Sequence, residues 1–166
     1  MNKILELLKK LDKYNLKNEE KIFLGTDGSI TNLLEILFDG EVVVETISQT
    51  TINNTYYRTV LLKINNNPLI YANSKISLKT IKDINLRDTI SKDLLLADIP
   101  IGKILKSHNL ETRREIKSIE YNKLSEKIKL HLKTKNNYLP NRTYHIIYKN
   151  KVLMEITEIF NIKEYL

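Results

Sequence analysis

The 166-residue chain contains no cysteine. Disulfides and cysteine-based metal sites are thereby excluded, and nothing points to an oxidising compartment. Its three histidines, His108, His131 and His145, lie far apart and form no ligand pattern, so they read as structural or exposed. No apolar run approaches the roughly 18 residues a membrane span requires. The opening segment, MNKILELLKKLDKYNLK, carries charges throughout and is not a signal peptide. A cytoplasmic location without a membrane partner is the expectation, and the Asn-x-Thr sequons at Asn53 and Asn141 then carry no weight. With only four glycines and three prolines there is no Pro/Gly-rich linker, nor is there an internal repeat or low-complexity tract. One domain spanning 1–166, long enough to bury a real core, is expected.

Arginine is scarce as well. Of 27 basic residues only Arg58, Arg87, Arg113, Arg114 and Arg142 are arginines, and the lysines are spread along the chain. The net charge of +7 could attract nucleic acid. The spread of lysine, beside abundant isoleucine and asparagine, reads instead as compositional bias and a solvated surface, and no nucleic-acid partner is expected. At 42% hydrophobic and 28% charged residues, the composition is that of an ordinary soluble globular protein.

Hydrophobic periodicity predicts an amphipathic helix over 2–13, with Ile4, Leu5, Leu7, Leu8 and Leu11 as its stripe. GTDGSITNLLEILF reads as a turn at Gly25–Gly28 and a helix to about Phe38, capped by Asp27 or Ser29. GEVVVETISQ, at 40–49, is rich in β-branched residues and reads as a strand. TYYRTVLLKI and PLIYANSKIS flank Asn65–Pro68 as a hairpin. TISKDLLLAD is a short helix, another begins at or just after Pro100, and TRREIKSIEY is a strand. Residues 122–137 fit a helix or a strand, because Ile128, Leu130 and Leu132 alternate. RTYHIIY and VLMEITEIF close the chain as a hairpin around Lys149–Lys151. Hairpins with interspersed helices and no βαβ alternation predict an α+β fold on an antiparallel sheet.

Two ionisable residues stand on apolar strand faces. Glu158 lies in line with Val152, Met154, Ile156 and Phe160, while Glu155 falls on the more polar face. Arg58 lies in line with Tyr56, Val60, Leu62 and Ile64. Buried charges are rare unless paired or functional. One reading is a buried Arg58–Glu158 salt bridge or a residue at the sheet's rim. The other is an anion pocket in which arginine clamps a carboxylate and the glutamate moves a proton. Arg113 and Arg114 are adjacent on a strand, so at most one faces such a pocket. GTDGS lacks the Lys-Ser/Thr of a phosphate loop, and its glycines read as a helix-initiating turn.

GTDGSITNLLE, ETISQ, YYRTVLL, DIPIGKIL with LETRREI, NRTYHIIY and VLMEITEIF, in this order from about 24 to 162, resemble the chorismate lyase (chorismate–pyruvate lyase) family, in particular its shorter archaeal and bacterial branch. The resemblance implies an antiparallel sheet whose ligand is enclosed beneath helical flaps, formed here by GSITNLLEIL and the helices around 80–108. It implies Arg58 and Glu158 as the principal active-site residues and Ile101 as a backbone amide donor at the turn with Gly102. It also implies Ile30 as a pocket wall and Arg142 as a further basic position. The implied reaction converts chorismate to 4-hydroxybenzoate and pyruvate without metal, redox cofactor or covalent nucleophile. The same general fold resembles the effector-binding domains of GntR-type regulators, which makes a non-catalytic binding module the alternative. Only about 20 residues precede FLGTDGS, so a regulator would have to be a fragment or act through another chain. An enzyme for a related enolpyruvyl ether is a third reading. A monomer or homodimer is expected.

Overall fold

The computed structural model describes residues 2–96 and 98–166. Six strands form one antiparallel sheet: β1 (Val43–Ile52), β2 (Thr55–Ile64), β3 (Asn67–Ser77), β4 (Thr112–Lys123), β5 (Tyr138–Tyr148) and β6 (Lys151–Phe160). Their order across the sheet is β1-β2-β3-β6-β5-β4. The α+β class and antiparallel sheet are as the sequence predicts. The helices are α1 (Lys3–Lys9), α2 (Asn18–Gly25), α3 (Ile30–Phe38), α4 (Ile84–Leu96), α5 (Ile101–Ser107) and α6 (Glu126–Leu132).

Three hairpins set the register through two-residue turns, Asn53-Asn54, Asn65-Asn66 and Lys149-Asn150, in which both residues have positive φ. Paired positive φ values match the right-handed twist of the strands they join. The second turn is shorter than expected, because Asn67 and Pro68 already belong to β3. Pro68 is tolerated there because Leu69 is an extra, bulged residue beside it. Further bulges at Ile47, Lys117 and Leu153 increase local twist and curve the sheet. The bulge at Leu153 breaks the predicted alternation: Leu153 is fully buried, while Val152 is turned outward.

The main core fills one face of the sheet, under α2, α3, α4 and α5, with Phe23, Leu34, Ile90, Ile104 and Phe160 among its members. A smaller cluster of Leu61, Tyr71, Leu124, Leu132 and Leu139 lies on the opposite face beneath α6. The ambiguous segment is therefore helical, started by the Ser125 hydroxyl accepting from the Ile128 amide at 3.3 Å. Leu130 is exposed while Leu132 is buried, a spacing that a strand face would not give. The first helix is shorter than expected, stopping at Lys9 before a 3-10 turn at Asp12–Tyr14. Helix α2 is not foreseen in the sequence at all.

Candidate active site

Two register rows form the floor of a cavity of about 400 Å³ on the core face, and all their members but Arg142 line it. One row is Arg58, Ser74, Ile156 and Tyr144 on β2, β3, β6 and β5. The next is Val60, Ala72, Glu158 and Arg142 on the same strands. Space exists because β3, in the middle, presents only Ala72 and Ser74. The roof is made by Ser29–Asn32 at the start of α3, by Pro100 just ahead of α5, and by Ile101–Lys103, Leu105 and Lys106 within α5. Ser29 caps α3, its hydroxyl accepting from the Asn32 amide at 3.3 Å. Among the described residues α4 contributes nothing to the lining. It supports α5 from outside, where Asp93 holds the His108 ring at 2.5 Å.

Arg58, Ile30, Ile101, Gly102 and Glu158 all line this cavity. Arg142 does not. It is fully buried behind Glu158, and its Nε donates to Glu158 Oε2 at 2.8 Å. The salt bridge that the sequence suggested between Arg58 and Glu158 is thus made by another arginine. The register explains why: Arg142 is the direct neighbour of Glu158, whereas Arg58 lies two strands over and two residues along, roughly 12 Å between Cα atoms. Tyr144 completes the group by donating its hydroxyl to Glu158 Oε1 at 3.0 Å. Each carboxylate oxygen thereby accepts one donor and keeps a lone pair for the cavity.

Sequence reasoning overlooked Tyr144, although its signal was present: NRTYHII puts Arg142, Tyr144 and Ile146 on one strand face. Burial, reinforced by the neighbouring Glu158 charge, pushes the Tyr144 phenol far above its ordinary value. It is a hydrogen-bond donor throughout the physiological range.

The GTDGS loop has a definite place. Arg142 Nη1 donates to the Thr26 carbonyl at 2.6 Å and more distantly to that of Leu24, while Arg114 Nη1 donates to the Asp27 carbonyl at 3.3 Å. The loop thus ties the roof helix α3 to Arg142 on β5 and Arg114 on β4. Arg58 is anchored on the other side, where Nη1 donates to the Ile99 carbonyl at 3.1 Å, just ahead of α5. Burial lowers the Arg58 pKa, and Asp98 opposes the shift. A guanidinium stays charged regardless. The adjacent pair also resolves: Arg114 faces the cavity, and Arg113 is exposed and contacts Asn150. Among the described residues no cluster of His, Asp and Glu could hold a metal ion.

A six-stranded antiparallel sheet with a cavity roofed by helices is the chorismate lyase-like fold. It is shared with a GntR-family transcriptional regulator from Bacillus cereus, at a TM-score of 0.52 and 11% identity over 75% of this chain and 94% of that one. It is shared too with the ligand-binding domain of a protein assigned to that regulator family from Bordetella bronchiseptica, at 0.55 and 9% over 74% and 86%. At these identities the likeness is one of fold alone.

Residues 24–166 match the model of the chorismate pyruvate-lyase Rv2949c-like family, and the chain belongs to that family. It is 60% identical, over 96% of its length and 88% of the other's, to MJ0807 of Methanocaldococcus jannaschii, a protein provisionally named a lyase.

Proposed function

We propose that this protein is a chorismate–pyruvate lyase, releasing pyruvate from chorismate and leaving 4-hydroxybenzoate. The observation that carries the reading is the placement of Arg58 and Glu158 on one cavity floor beneath the first turn of α5, in a member of this family.

The cavity's shape supplies most of the mechanism. Arg58 holds one substrate carboxylate by charge-assisted hydrogen bonds. The first amides of α5, at Ile101 and Gly102, have no intrahelical acceptor, and both residues line the cavity, where these amides serve as further donors. Ile30 closes the apolar wall. The reaction breaks the ring C–O bond to the enolpyruvyl group and the C–H bond on the neighbouring ring carbon, and the ring becomes aromatic. Glu158 accepts that proton and returns it to the enolpyruvate methylene carbon, which gives pyruvate. Tyr144 and Arg142 both donate to Glu158, so they fix its carboxylate as the acceptor and aim its free lone pairs into the cavity. These steps use only the chain's own residues.

The second reading is a binding module that holds an aromatic carboxylate without turning it over. The fold shared with ligand-binding domains of GntR-type regulators favours it. Incubating the purified protein with chorismate and following 4-hydroxybenzoate and pyruvate separates the two. Stoichiometric formation of both products is expected. Tight hydroxybenzoate binding with no product would sink the lyase and leave the module. Glu158→Gln should lower kcat by about 10²–10⁴-fold with little change in affinity, whereas Arg58→Ala should damage binding as well.

A further inference from the structure

We infer that Arg114 is the anchor for a second carboxylate, so that the cavity selects dicarboxylate ligands over monocarboxylates. The inference rests on the proposed function for the identity of the substrate, and on the cavity itself for the class of ligand.

Charge is the first observation. Among the described residues, Arg58, Lys103, Lys106 and Arg114 line the cavity against a single carboxylate, that of Glu158. Glu158 is already matched by Arg142 behind it. Arg58 has Asp98 beside it, so the positive charge beyond these pairs is that of Lys103, Lys106 and Arg114. Lys103 and Lys106 are exposed on α5, where water competes for their ammonium groups. Arg114 is half-buried, and it sits where the two flaps meet. Its Nη1 reaches the Asp27 carbonyl ahead of α3, and its Nη2 lies against Gly102 at the start of α5, 3.4 Å from where a side chain there would begin. The Tyr144 ring lies 6.0 Å from its Cζ.

The second observation is an unmet hydrogen bond. Arg114 Nε is buried and, among the described residues, has no acceptor. A buried donor without a partner is costly, and the guanidinium of a cavity-lining arginine matches a carboxylate in two-point geometry. The third is placement. Arg58 enters from β2 and Arg114 from β4, four strands apart, roughly 20 Å between Cα atoms. Their long side chains converge on the cavity from opposite sides, with Glu158 and Tyr144 on the floor between them. A ligand with a carboxylate at each end and the reacting bonds in the middle fits that layout. On this assignment Arg58 holds the carboxylate common to substrate and product, and Arg114 the one that leaves with the pyruvate. Losing that contact would favour product release.

The test uses two probes. 4-Hydroxybenzoate has one carboxylate, and 4-(carboxymethoxy)benzoate is an unreactive aryl ether with two. Titration calorimetry on the wild-type protein should show tighter binding of the dicarboxylate. Arg114→Gln should weaken the dicarboxylate tenfold or more and leave 4-hydroxybenzoate within twofold, while KM for chorismate rises in parallel. Arg114→Lys keeps the charge and should give a smaller loss with the same selectivity, which covers the case of a poorly folded glutamine variant. Equal losses for both probes would make Arg114 a support for the flaps only and overturn the inference, as would no loss for either. A wild-type protein that binds the dicarboxylate selectively but releases no product from chorismate would defeat the lyase and leave this assignment standing.

Discussion

Glu158 shows how a single side chain can be read twice. Strand alternation places it on the apolar face, where an unpaired carboxylate would be expensive. The structure compensates with two donors, Arg142 Nε and the Tyr144 hydroxyl. Arg142 is itself compensated, by the Glu158 carboxylate, the Thr26 carbonyl and the ring of Tyr144, whose centroid lies 4.8 Å from its Cζ. Removing one member of such a group strands the other charge. Arg142→Met should destabilise the protein by about 3–5 kcal/mol, measured by urea unfolding at neutral pH. The double variant Arg142→Met/Glu158→Gln should recover part of that loss, because it leaves no unpaired charge. Glu155, three residues earlier, is exposed and meets His145 at 3.0 Å, and nothing in the site depends on it.

Among the elements, the hairpins hold the site's geometry. Each register row of the floor depends on turns whose residues both adopt positive φ, at 50° and 64° for Asn65 and Asn66. Asparagine tolerates this conformation, and lysine does so poorly. Lys149 adopts it nonetheless, at φ 47°. Lys149→Gly should raise stability by up to about 1 kcal/mol, seen as a shift in the urea midpoint with an unchanged slope. Activity should be unchanged, because the turn lies outside the cavity lining. Most of these elements were legible, since hairpins and capped helices announce themselves locally. Helix α2 was not, because its buried Phe23 and Leu24 sit beside the exposed Ile22 and make no clean stripe. Helix α6 was ambiguous because three apolar residues at every second position satisfy a strand. Only its docking on Leu61, Tyr71 and Leu139 decides in favour of the helix.

Over the whole molecule, burial raises the phenol pKa of Tyr71, Tyr121, Tyr144 and Tyr165. The unfolded chain releases a tyrosine proton near pH 10, while the folded protein retains it. The unfolded state thus binds fewer protons, and stability falls as pH rises above that value. Tyr144, the most buried of them, contributes a slope of about 1.4 kcal/mol per pH unit. Unfolding free energies from pH 9 to 12 should decline accordingly, and Tyr144→Phe should make the decline shallower. A limb unaffected by that change would show that the phenol is not held in its neutral form by the fold.

By itself the sequence determined the α+β class, the hairpins, and the two charged residues facing inward on apolar strands. These are consequences of local periodicity and turn chemistry, which do not depend on distant parts of the chain. Only the tertiary structure decided which arginine neutralises Glu158, that Tyr144 shares it, and that Arg114 faces the cavity in place of Arg142. Those facts come from pairing β5 with β6 and β4, and from bulges that reset which side each residue faces. Cross-strand partners are fixed by the register of the assembled sheet, and no single strand contains that information.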